Sequence, residues 1–273
     1  MVVDAHTHVF APVSERFPRD VHELFPAAAG AAAEALLEEM ERAGVDRAVV
    51  VPVSPHDEYV ADVLARDPGR FAAIGVASGS ADVEEYRRRR EAAGLQGLRL
   101  FELGPETSPL LAELERSGGK LWFYGGRRQM ELLAGALEEL PALTVVLNHL
   151  GYWPGPFEAD ERGRPRFLEP YSNGNLEGVA GLARFPGVHV LLTGFYAFAG
   201  EPCPYRDLLP VTAALLEAFG AERLLAGTDF PWIAAEPGYA ATWDALDLHL
   251  GSLDDADRAA VRGGNAARLF GFA

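Results

Sequence analysis

The sequence contains a single cysteine, Cys203, so it cannot form an internal disulfide. Proteins without disulfides are typical of reducing compartments, which favours a cytoplasmic location. No apolar run approaches the roughly 20 residues of a membrane-spanning helix. No basic segment followed by an apolar one precedes the first predicted strand. Together these absences predict a soluble, unprocessed, intracellular protein.

Positive charge is also scarce, because 24 lysines and arginines face 40 aspartates and glutamates and leave a net charge of −16. An acidic protein is repelled by nucleic acids and by anionic membranes, so we expect neither as a partner. A few local arginines can still attract a small anion at close range. The composition therefore stays compatible with a small anionic substrate.

Strand-like and helix-like segments alternate along the 273 residues. Predicted strands cover residues 2–9, 46–53, 71–77, 97–101, 120–124, 143–149, 188–194 and 223–229. Predicted helices cover residues 31–43, 57–65, 82–93, 109–117, 127–140, 176–185, 205–219, 239–250, 254–261 and 266–270. Eight strands, each followed by a helix, predict an α/β fold of the (β/α)8 TIM-barrel type. We expect residues 1–273 to form one domain with a C-terminal helical extension.

A doubly wound open sheet is the alternative architecture. The first strand–helix junction lacks the glycine-rich phosphate-binding motif of such folds, which favours the barrel. Residues 10–30 and 151–171 are predicted to be long loops, and long loops are often functional. We expect substrate specificity to depend on these two loops.

The first predicted strand carries two histidines, His6 and His8, two residues apart. Side chains alternate between the faces of a strand, which places Asp4 on the same face as these histidines and Ala5 on the other. Two imidazoles on one face can share a metal ion or a substrate group. The alternative is a pair of surface histidines on an edge strand.

Further polar residues lie near the carboxyl ends of other predicted strands: Arg99, His149 and Asp229. Each has a structural explanation on its own, since His149 could be a core histidine and Asp229 a helix cap. In a TIM barrel these strand ends converge on one mouth, where active sites are found. Several polar groups buried together without a function would be costly, at roughly 1–3 kcal/mol each. The cluster therefore predicts an active site.

Four segments resemble the amidohydrolase superfamily: residues 6–8 (HTH), 148–151 (NHLG), 227–232 (GTDFPW) and 265–270 (NAARLF). They resemble most its amidohydrolase-related branch, which holds pyrone-dicarboxylate and sugar lactonases and aromatic-acid decarboxylases. The resemblance extends over the whole chain.

The resemblance implies a role for each matching residue. His6 and His8 would be ligands of a divalent metal such as zinc or, without metal, donors to the substrate. Asp229 would be a metal ligand and the general base that activates water. His149 would polarise the scissile carbonyl or stabilise the oxyanion. The residue types agree, because zinc takes imidazole and carboxylate ligands and acidifies a bound water.

One position departs from the family pattern, at the end of the fifth strand. Metal-dependent members carry a histidine or a modified lysine there, whereas this chain has Tyr124 on the expected face. Lys120 lies at the beginning of the strand, too deep to replace that ligand. A catalytic metal therefore stays open, and the missing ligand favours lactone hydrolysis over decarboxylation.

Substrate contacts are predicted from residues around the mouth. Arg99 would hold a substrate carboxylate by a bidentate contact, or instead pair with a nearby acid such as Glu102. Tyr124 would hydrogen-bond substrate or water. The loop histidines are either substrate contacts or solvent-exposed, and the aromatic residues form either substrate-binding walls or loop packing: His22, His56, Trp153, Tyr196 and Trp232. His189 and His249 are assigned to structure.

These observations predict a hydrolase that acts on a small cyclic ester, or a related carbonyl compound, by activating water at the barrel mouth. One alternative is a metal-dependent, nonoxidative decarboxylase of an aromatic acid. Another is a catalytically inactive barrel that serves as a binding subunit. The oligomeric state stays open between a monomer and a homodimer.

Overall fold

The computed structural model describes residues 1–79, 82–151 and 155–273, and ten strands and ten α-helices lie within them. The strands are β1 (Val3–Thr7), β2 (Arg47–Val50), β3 (Phe71–Val76), β4 (Leu95–Leu100), β5 (Lys120–Phe123), β6 (Thr144–Leu147), β7 (Phe157–Ala159), β8 (Pro165–Phe167), β9 (Val188–Leu192) and β10 (Leu224–Ala226). The helices are α1 (Ala33–Ala43), α2 (Glu58–Arg66), α3 (Val83–Ala93), α4 (Ser108–Ser117), α5 (Arg127–Glu139), α6 (Asn173–Ala180), α7 (Leu209–Phe219), α8 (Tyr239–His249), α9 (Asp255–Ala259) and α10 (Asn265–Phe270).

Eight parallel strands form one sheet in the order β1-β2-β3-β4-β5-β6-β9-β10. The sheet closes on itself just beyond β10, where backbone hydrogen bonds join the segment after that strand to β1. Asp229 N donates to His6 O over 2.9 Å, and His8 N donates to Phe230 O over 2.6 Å. This closed arrangement confirms the predicted TIM barrel.

The apolar core has two layers. The larger layer lies between the strands and the surrounding helices, and the smaller one fills the barrel interior. Side chains of the interior layer come from seven of the eight barrel strands and from α10: Val3, Ala5, Val49, Val51, Ala72, Ile74, Val76, Trp122, Val146, Leu191, Leu225, Ala266 and Phe270. Because α10 contributes Ala266 and Phe270, the C-terminal helix closes the end of the barrel opposite the mouth.

The prediction that Asp4 shares a face of β1 with the histidines is wrong. The register with β2 pairs Asp4 with Ala48 and Thr7 with Val50, so three steps of β1 match two steps of β2. This β-bulge turns Asp4 outward, where Thr228 Oγ1 and Tyr239 Oη donate to its carboxylate over 2.6 and 2.8 Å. The prediction that Ala5 faces away from the histidines is also wrong, because Ala5 lies in the barrel interior and, past the bulge, His6 does too.

Two helices begin at other residues than the sequence predicts, because of the residues in and before their first turn. Helix α6 begins at Asn173, three residues before the predicted start, because Ser172 caps it and accepts a hydrogen bond from Asn175 N. Helix α7 begins at Leu209, after a 3-10 turn at Arg206–Leu208, because Pro210 is tolerated only in a first helical turn.

The two predicted loops cover the barrel mouth. The first is held by Arg19, whose guanidinium donates to the carbonyl oxygens of Phe25 and Pro26 over 2.6 and 3.0 Å. The second is not only a loop, because it contains the antiparallel hairpin β7–β8. In its turn, Asp160 accepts from the backbone N–H groups of Arg162 and Arg164 over 2.9 Å each. The described residues of both segments are therefore held by internal polar contacts.

Within the described residues, none of the helices combines the length and the apolar character that crossing a membrane would require.

Candidate active site

A cavity of about 390 Å³ lies at the carboxyl ends of the barrel strands. Its floor carries the polar side chains His8, Arg99, Tyr124, His149, Tyr196 and Asp229. Its walls come from the first loop, the β7–β8 hairpin and the segment after β10, through His22, Leu24, Phe25, Phe157, Pro165, Phe167 and Trp232. The volume is typical of a site for a small organic molecule.

The floor is built around the carboxylate of Asp229. Its Oδ1 atom lies 3.5 Å from His6 Nε2 and 3.3 Å from His8 Nε2. Its Oδ2 atom accepts a hydrogen bond of 2.7 Å from the hydroxyl of Tyr196. Oδ1 itself is buried and has no hydrogen-bond partner among the described residues. The carboxylate is thus fixed through one oxygen and offers the other to a bound molecule.

Asp229 is ionised. Burial on its own would raise the pKa of this carboxyl, but the three imidazoles around it outweigh burial and hold the pKa below the usual range. Burial and the negative charge of Asp229 together raise the pKa of Tyr196 well above its ordinary value, so Tyr196 is a protonated donor. Asp229 also has a φ of 67°, a left-handed conformation that is uncommon outside glycine. Such strained backbone conformations are often found at functional sites.

His6 in β1 and His8, which directly follows that strand, are oriented by different partners. The Nδ1 atom of His8 lies 2.7 Å from the carbonyl oxygen of Val51. The Nδ1 atom of His6 accepts a hydrogen bond of 3.1 Å from the indole N–H of Trp122. Burial is the main cause that lowers the pKa of His6 well below its ordinary value, so its ring is neutral.

His149 follows β6 in a left-handed conformation, with a φ of 49°. The turn brings its ring against Gly194, where a Cβ atom would lie only 2.4 Å from His149 Nδ1. Burial lowers the pKa of His149 to about 4, so the ring is neutral at physiological pH. Its Nδ1 atom is buried and has no hydrogen-bond partner among the described residues.

Arg99 also lies on the cavity floor and is 8% exposed. Its Nη2 donates to the hydroxyl of Tyr124 over 2.6 Å, and its guanidinium lies 4.8 Å from the ring centroids of both Tyr124 and Phe101. No described carboxylate pairs with it, so the alternative pairing with Glu102 is not formed. A nearly buried guanidinium held by neutral groups is suited to bind an anion.

Most of the predicted site residues meet at this cavity. Six of them line it: His8, Arg99, Tyr124, His149, Trp232 and Asp229. His6 lies directly beneath, with no exposed surface. The roles assigned to these residues stay predictions.

His56 does not reach the cavity. It lies in a smaller neighbouring recess, with Nε2 3.7 Å from Asp20 and Nδ1 4.0 Å from Glu58. The other loop histidine, His22, does line the cavity. Trp153 lies outside the described residues.

Two contacts were missed from the sequence. Tyr196 is predicted to be an apolar wall or loop packing, whereas its hydroxyl donates to Asp229. Trp122 lies in the predicted strand 120–124 without an assigned role, whereas its indole N–H donates to the ring of His6. Its position two residues before Tyr124, on the same inward face, was the available signal for the second contact.

The two histidines assigned to structure lie away from the cavity. His249 is buried, with Nδ1 2.9 Å from Thr212 Oγ1 and Nε2 3.1 Å from the carbonyl oxygen of Pro204. His189 is at the beginning of β9, at the other end of the barrel. Lys120 is likewise remote from the mouth, where its Nζ donates to Gln96 over 3.1 Å.

The donor set fits a divalent metal in kind. Ligand atoms of His6, His149 and Asp229 all lie within 4.8 Å of one another. Each residue also contributes a buried polar atom that has no hydrogen-bond partner among the described residues. Two imidazoles and a carboxylate are ligands that zinc accepts, with a further position left for water. The described residues at the end of β5 add no fourth ligand beyond the hydroxyl of Tyr124.

Known proteins resemble this chain in sequence and fold. An L-fucono-1,5-lactonase from Burkholderia ambifaria is 27% identical over 256 residues, which cover 85% of this chain and 82% of the lactonase. A 2-pyrone-4,6-dicarboxylate hydrolase from Comamonas testosteroni is 26% identical over 240 residues, which cover 84% of this chain and 76% of that enzyme. The crystal structure of an amidohydrolase from Burkholderia multivorans with bound zinc has a TM-score of 0.78 at 21% identity and covers 100% of both chains.

The amidohydrolase family profile matches residues 3–272, nearly the whole chain. This match confirms the predicted resemblance to the amidohydrolase superfamily. The chain belongs to the amidohydrolase family.

Proposed function

We propose that this protein hydrolyses a small lactone that has an apolar body and a single carboxylate. The observation that carries the proposal is the state of Asp229. Tyr196 holds one carboxylate oxygen, and the other is buried at the cavity floor without a hydrogen-bond partner among the described residues. An ionised carboxylate with one free oxygen can take a proton from a bound water.

The reaction begins when water attacks the lactone carbonyl and transfers its proton to Asp229 Oδ1. The electron pair of the carbonyl bond moves to oxygen, and an imidazole N–H of His6 or His149 donates to the oxyanion. The carbonyl re-forms as the ring C–O bond breaks. The departing alkoxide then takes the proton from Asp229, which gives a hydroxy acid and restores the carboxylate. Tyr196 keeps the base oriented through both proton transfers.

The lining of the cavity supports the apolar body of the substrate. Aromatic and aliphatic side chains form its walls, and few of them can hydrogen-bond a polyhydroxylated ring: Leu24, Phe25, Val53, Phe101, Phe157, Phe167 and Trp232. Flat aromatic walls suit a planar or fused-ring lactone.

A single carboxylate is proposed because Arg99 is the only lysine or arginine among the described residues that line the cavity. Its guanidinium has neutral neighbours, the hydroxyl of Tyr124 and the ring of Phe101. A carboxylate bound there would be paired with a positive charge. Two carboxylates would leave one without a cationic partner in a mostly apolar cavity, which is unfavourable.

A divalent metal is an optional part of this proposal. Asp229 and the imidazoles beside it would hold it, and it would polarise the carbonyl and acidify a bound water. The zinc-bound relative and the spacing of His6, His149 and Asp229 support a divalent ion, and zinc is our proposal for its identity. The names of the relatives support lactones as the substrate class.

The test is a panel of lactones. It contains an aromatic δ-lactone (dihydrocoumarin) with and without one ring carboxylate, 2-pyrone-4,6-dicarboxylate and a sugar lactone. We expect the monocarboxylate to have the highest kcat/KM. An aromatic acid incubated in parallel should release no carbon dioxide.

The variant Asp229→Asn should lower hydrolysis of the best substrate at least about 100-fold, as expected when a general base is lost. The matched control is Asp57→Asn, which removes a buried carboxylate that pairs with Arg89 outside the cavity. Circular dichroism should show both variants folded. Full activity of folded Asp229→Asn, or turnover of aromatic acids to carbon dioxide, would overturn the proposal.

A further inference from the structure

Trp122 lies in β5 with its side chain in the barrel interior, and no part of it is exposed. Its only described polar contact is with His6, since its indole N–H lies 3.1 Å from Nδ1 of that ring. The planes of the two rings are nearly parallel, with 10° between them. This geometry directs the N–H into the lone pair of the imidazole nitrogen.

The chemistry of the two rings determines where the proton of His6 lies. An indole N–H can only donate, so Nδ1 of His6 must accept and carries no proton. A neutral imidazole has one N–H, which is then on Nε2. A doubly protonated ring would have no lone pair for Trp122 and is incompatible with the contact.

We propose that Trp122 is a positioning residue that fixes the proton of His6 on Nε2. His6 then presents an N–H group to the active-site floor and is a poor metal ligand through that nitrogen. Metal-binding histidines have the opposite arrangement, in which the distal ring nitrogen donates to a carbonyl or carboxylate and the other lone pair binds the ion.

His8 provides an internal comparison. Its Nδ1 lies 2.7 Å from the carbonyl oxygen of Val51, which can only accept, so this nitrogen carries a proton. The two imidazoles of one strand thus have opposite partners, while both Nε2 atoms approach the same oxygen of Asp229. His8 has the arrangement of a metal-binding histidine, and His6 does not.

Two observations support a donor role for His6. Nε2 of His6 and Oδ1 of Asp229 are both buried without a hydrogen-bond partner among the described residues, and they lie 3.5 Å apart. An N–H and a carboxylate oxygen at that separation can both bind the same water, which accepts from the N–H and donates to the carboxylate. A metal could bind Nε2 only if the proton of His6 moved from Nε2 to Nδ1. The buried N–H of Trp122 would then have no acceptor, which is unfavourable.

The inference concerns the site of the proposed function and rests on it only for the meaning of the N–H group. It is tested by spectroscopy and by metal binding, neither of which requires turnover. A lactone panel without activity would overturn the proposed function and leave the tautomer result intact.

The first experiment measures ¹⁵N chemical shifts of the histidine rings in the unmodified protein. The resonances of His6 are assigned by comparison with the His6→Gln variant. We expect His6 to have a protonated Nε2 and an unprotonated Nδ1, and His8 to have a protonated Nδ1. A proton on Nδ1 of His6 in the unmodified protein would overturn the proposal, and this measurement needs no substitution of Trp122.

The second experiment titrates Zn²⁺ into metal-free protein by calorimetry. In Trp122→Phe, which keeps an aromatic ring and removes the N–H, we expect Zn²⁺ to bind roughly 10–100-fold more tightly, the range typical of partners that orient a metal ligand. The control Trp243→Phe changes a buried tryptophan of α8 and should leave the affinity unchanged. The gain should disappear when His6→Gln is added to Trp122→Phe. Equal Zn²⁺ affinity of Trp122→Phe and the unmodified protein, or a gain that survives His6→Gln, overturns the proposal.

Discussion

Replacing Arg99 by methionine tests how the cavity selects its substrate. The methionine keeps an unbranched apolar stem and removes the only lysine or arginine among the described residues that line the cavity. We expect hydrolysis of a lactone monocarboxylate to fall sharply. Hydrolysis of the neutral lactone of the same ring should stay within about threefold, because the stem still packs against Phe101 and Tyr124.

The magnitude follows from the burial of Arg99. A hydrogen bond to a charged group contributes about 1.5–3 kcal/mol, and the upper part of that range applies because the residue is only 8% exposed and little screened by water. Since about 1.4 kcal/mol corresponds to a factor of ten, a loss near 3 kcal/mol predicts a roughly 100-fold lower kcat/KM. Arg99→Lys should fall between the two, because an ammonium keeps the charge and loses the planar fork.

The assay is steady-state hydrolysis of the two lactones by the unmodified protein and each variant, with product acid measured directly. Tyr124→Phe is the companion variant, since it removes the hydroxyl that accepts from Arg99 Nη2 over 2.6 Å and leaves the charge in place. We expect it to cost about tenfold on the monocarboxylate. An equal loss on both lactones in Arg99→Met would refute the reasoning, because it would mean that Arg99 supports the fold of the site and not the carboxylate.

Three other predictions follow from single contacts. Tyr196→Phe removes the donor to Asp229 Oδ2, which should raise the pKa of Asp229 and move the acidic limb of the pH–rate profile to higher pH. We also expect kcat to fall about tenfold, and an acidic limb that does not move would contradict this role of Tyr196. Burial raises the pKa of Asp4 to about 6, so its contribution to the free energy of unfolding is fully present below about pH 4 and is lost as the pH rises through 6. Urea unfolding should show that the free energy of unfolding falls by about 3 kcal/mol over that interval, relative to the Asp4→Asn variant. Asn265→Leu leaves the carbonyl oxygens of Ala221 and Leu224 without their donor and should lower the free energy of unfolding by about 1–3 kcal/mol, with kcat of the folded variant unchanged.

The barrel was predictable because its strands are buried on both faces. Such strands appear in a sequence as short apolar runs, as at Phe71–Val76, and eight of them with helices between leave few alternative folds. The same logic placed His149 and Asp229 at one mouth, since the carboxyl ends of parallel strands meet there.

The hairpin over the mouth was not predictable in the same way. Its strands, Phe157–Ala159 and Pro165–Phe167, have three residues each and include exposed positions, a proline and charges. They carry no alternation, and they are held by contacts distant in sequence, such as Arg164 Nη1 donating to the carbonyl oxygen of Glu236 over 2.6 Å. Local patterns contain no signal for contacts of that kind.

The partners of individual atoms were also beyond the sequence. That Tyr196 would contact Asp229 depends on a 3-10 turn at Phe195–Ala197, which directs the hydroxyl toward the neighbouring strand. That Trp122 would donate to His6 depends on which ring nitrogen faces it across the barrel. A sequence can place such side chains on the inward face but does not determine which of their atoms meet.

The bulge in β1 explains how one strand supplies both the closure of the barrel and its active site. With strict alternation, Asp4 would share the inward face with His6, and a second buried carboxylate would lie near Asp229. Because the bulge turns Asp4 outward, its carboxylate instead accepts from Thr228 N and Oγ1 over 2.9 and 2.6 Å. Those bonds fix the residue next to Asp229, whose own N–H donates to the carbonyl oxygen of His6. The hydrogen bonds of Asp4 therefore tie the segment of the base to β1, so the geometry of the site depends on the register of β1 as much as on its histidines.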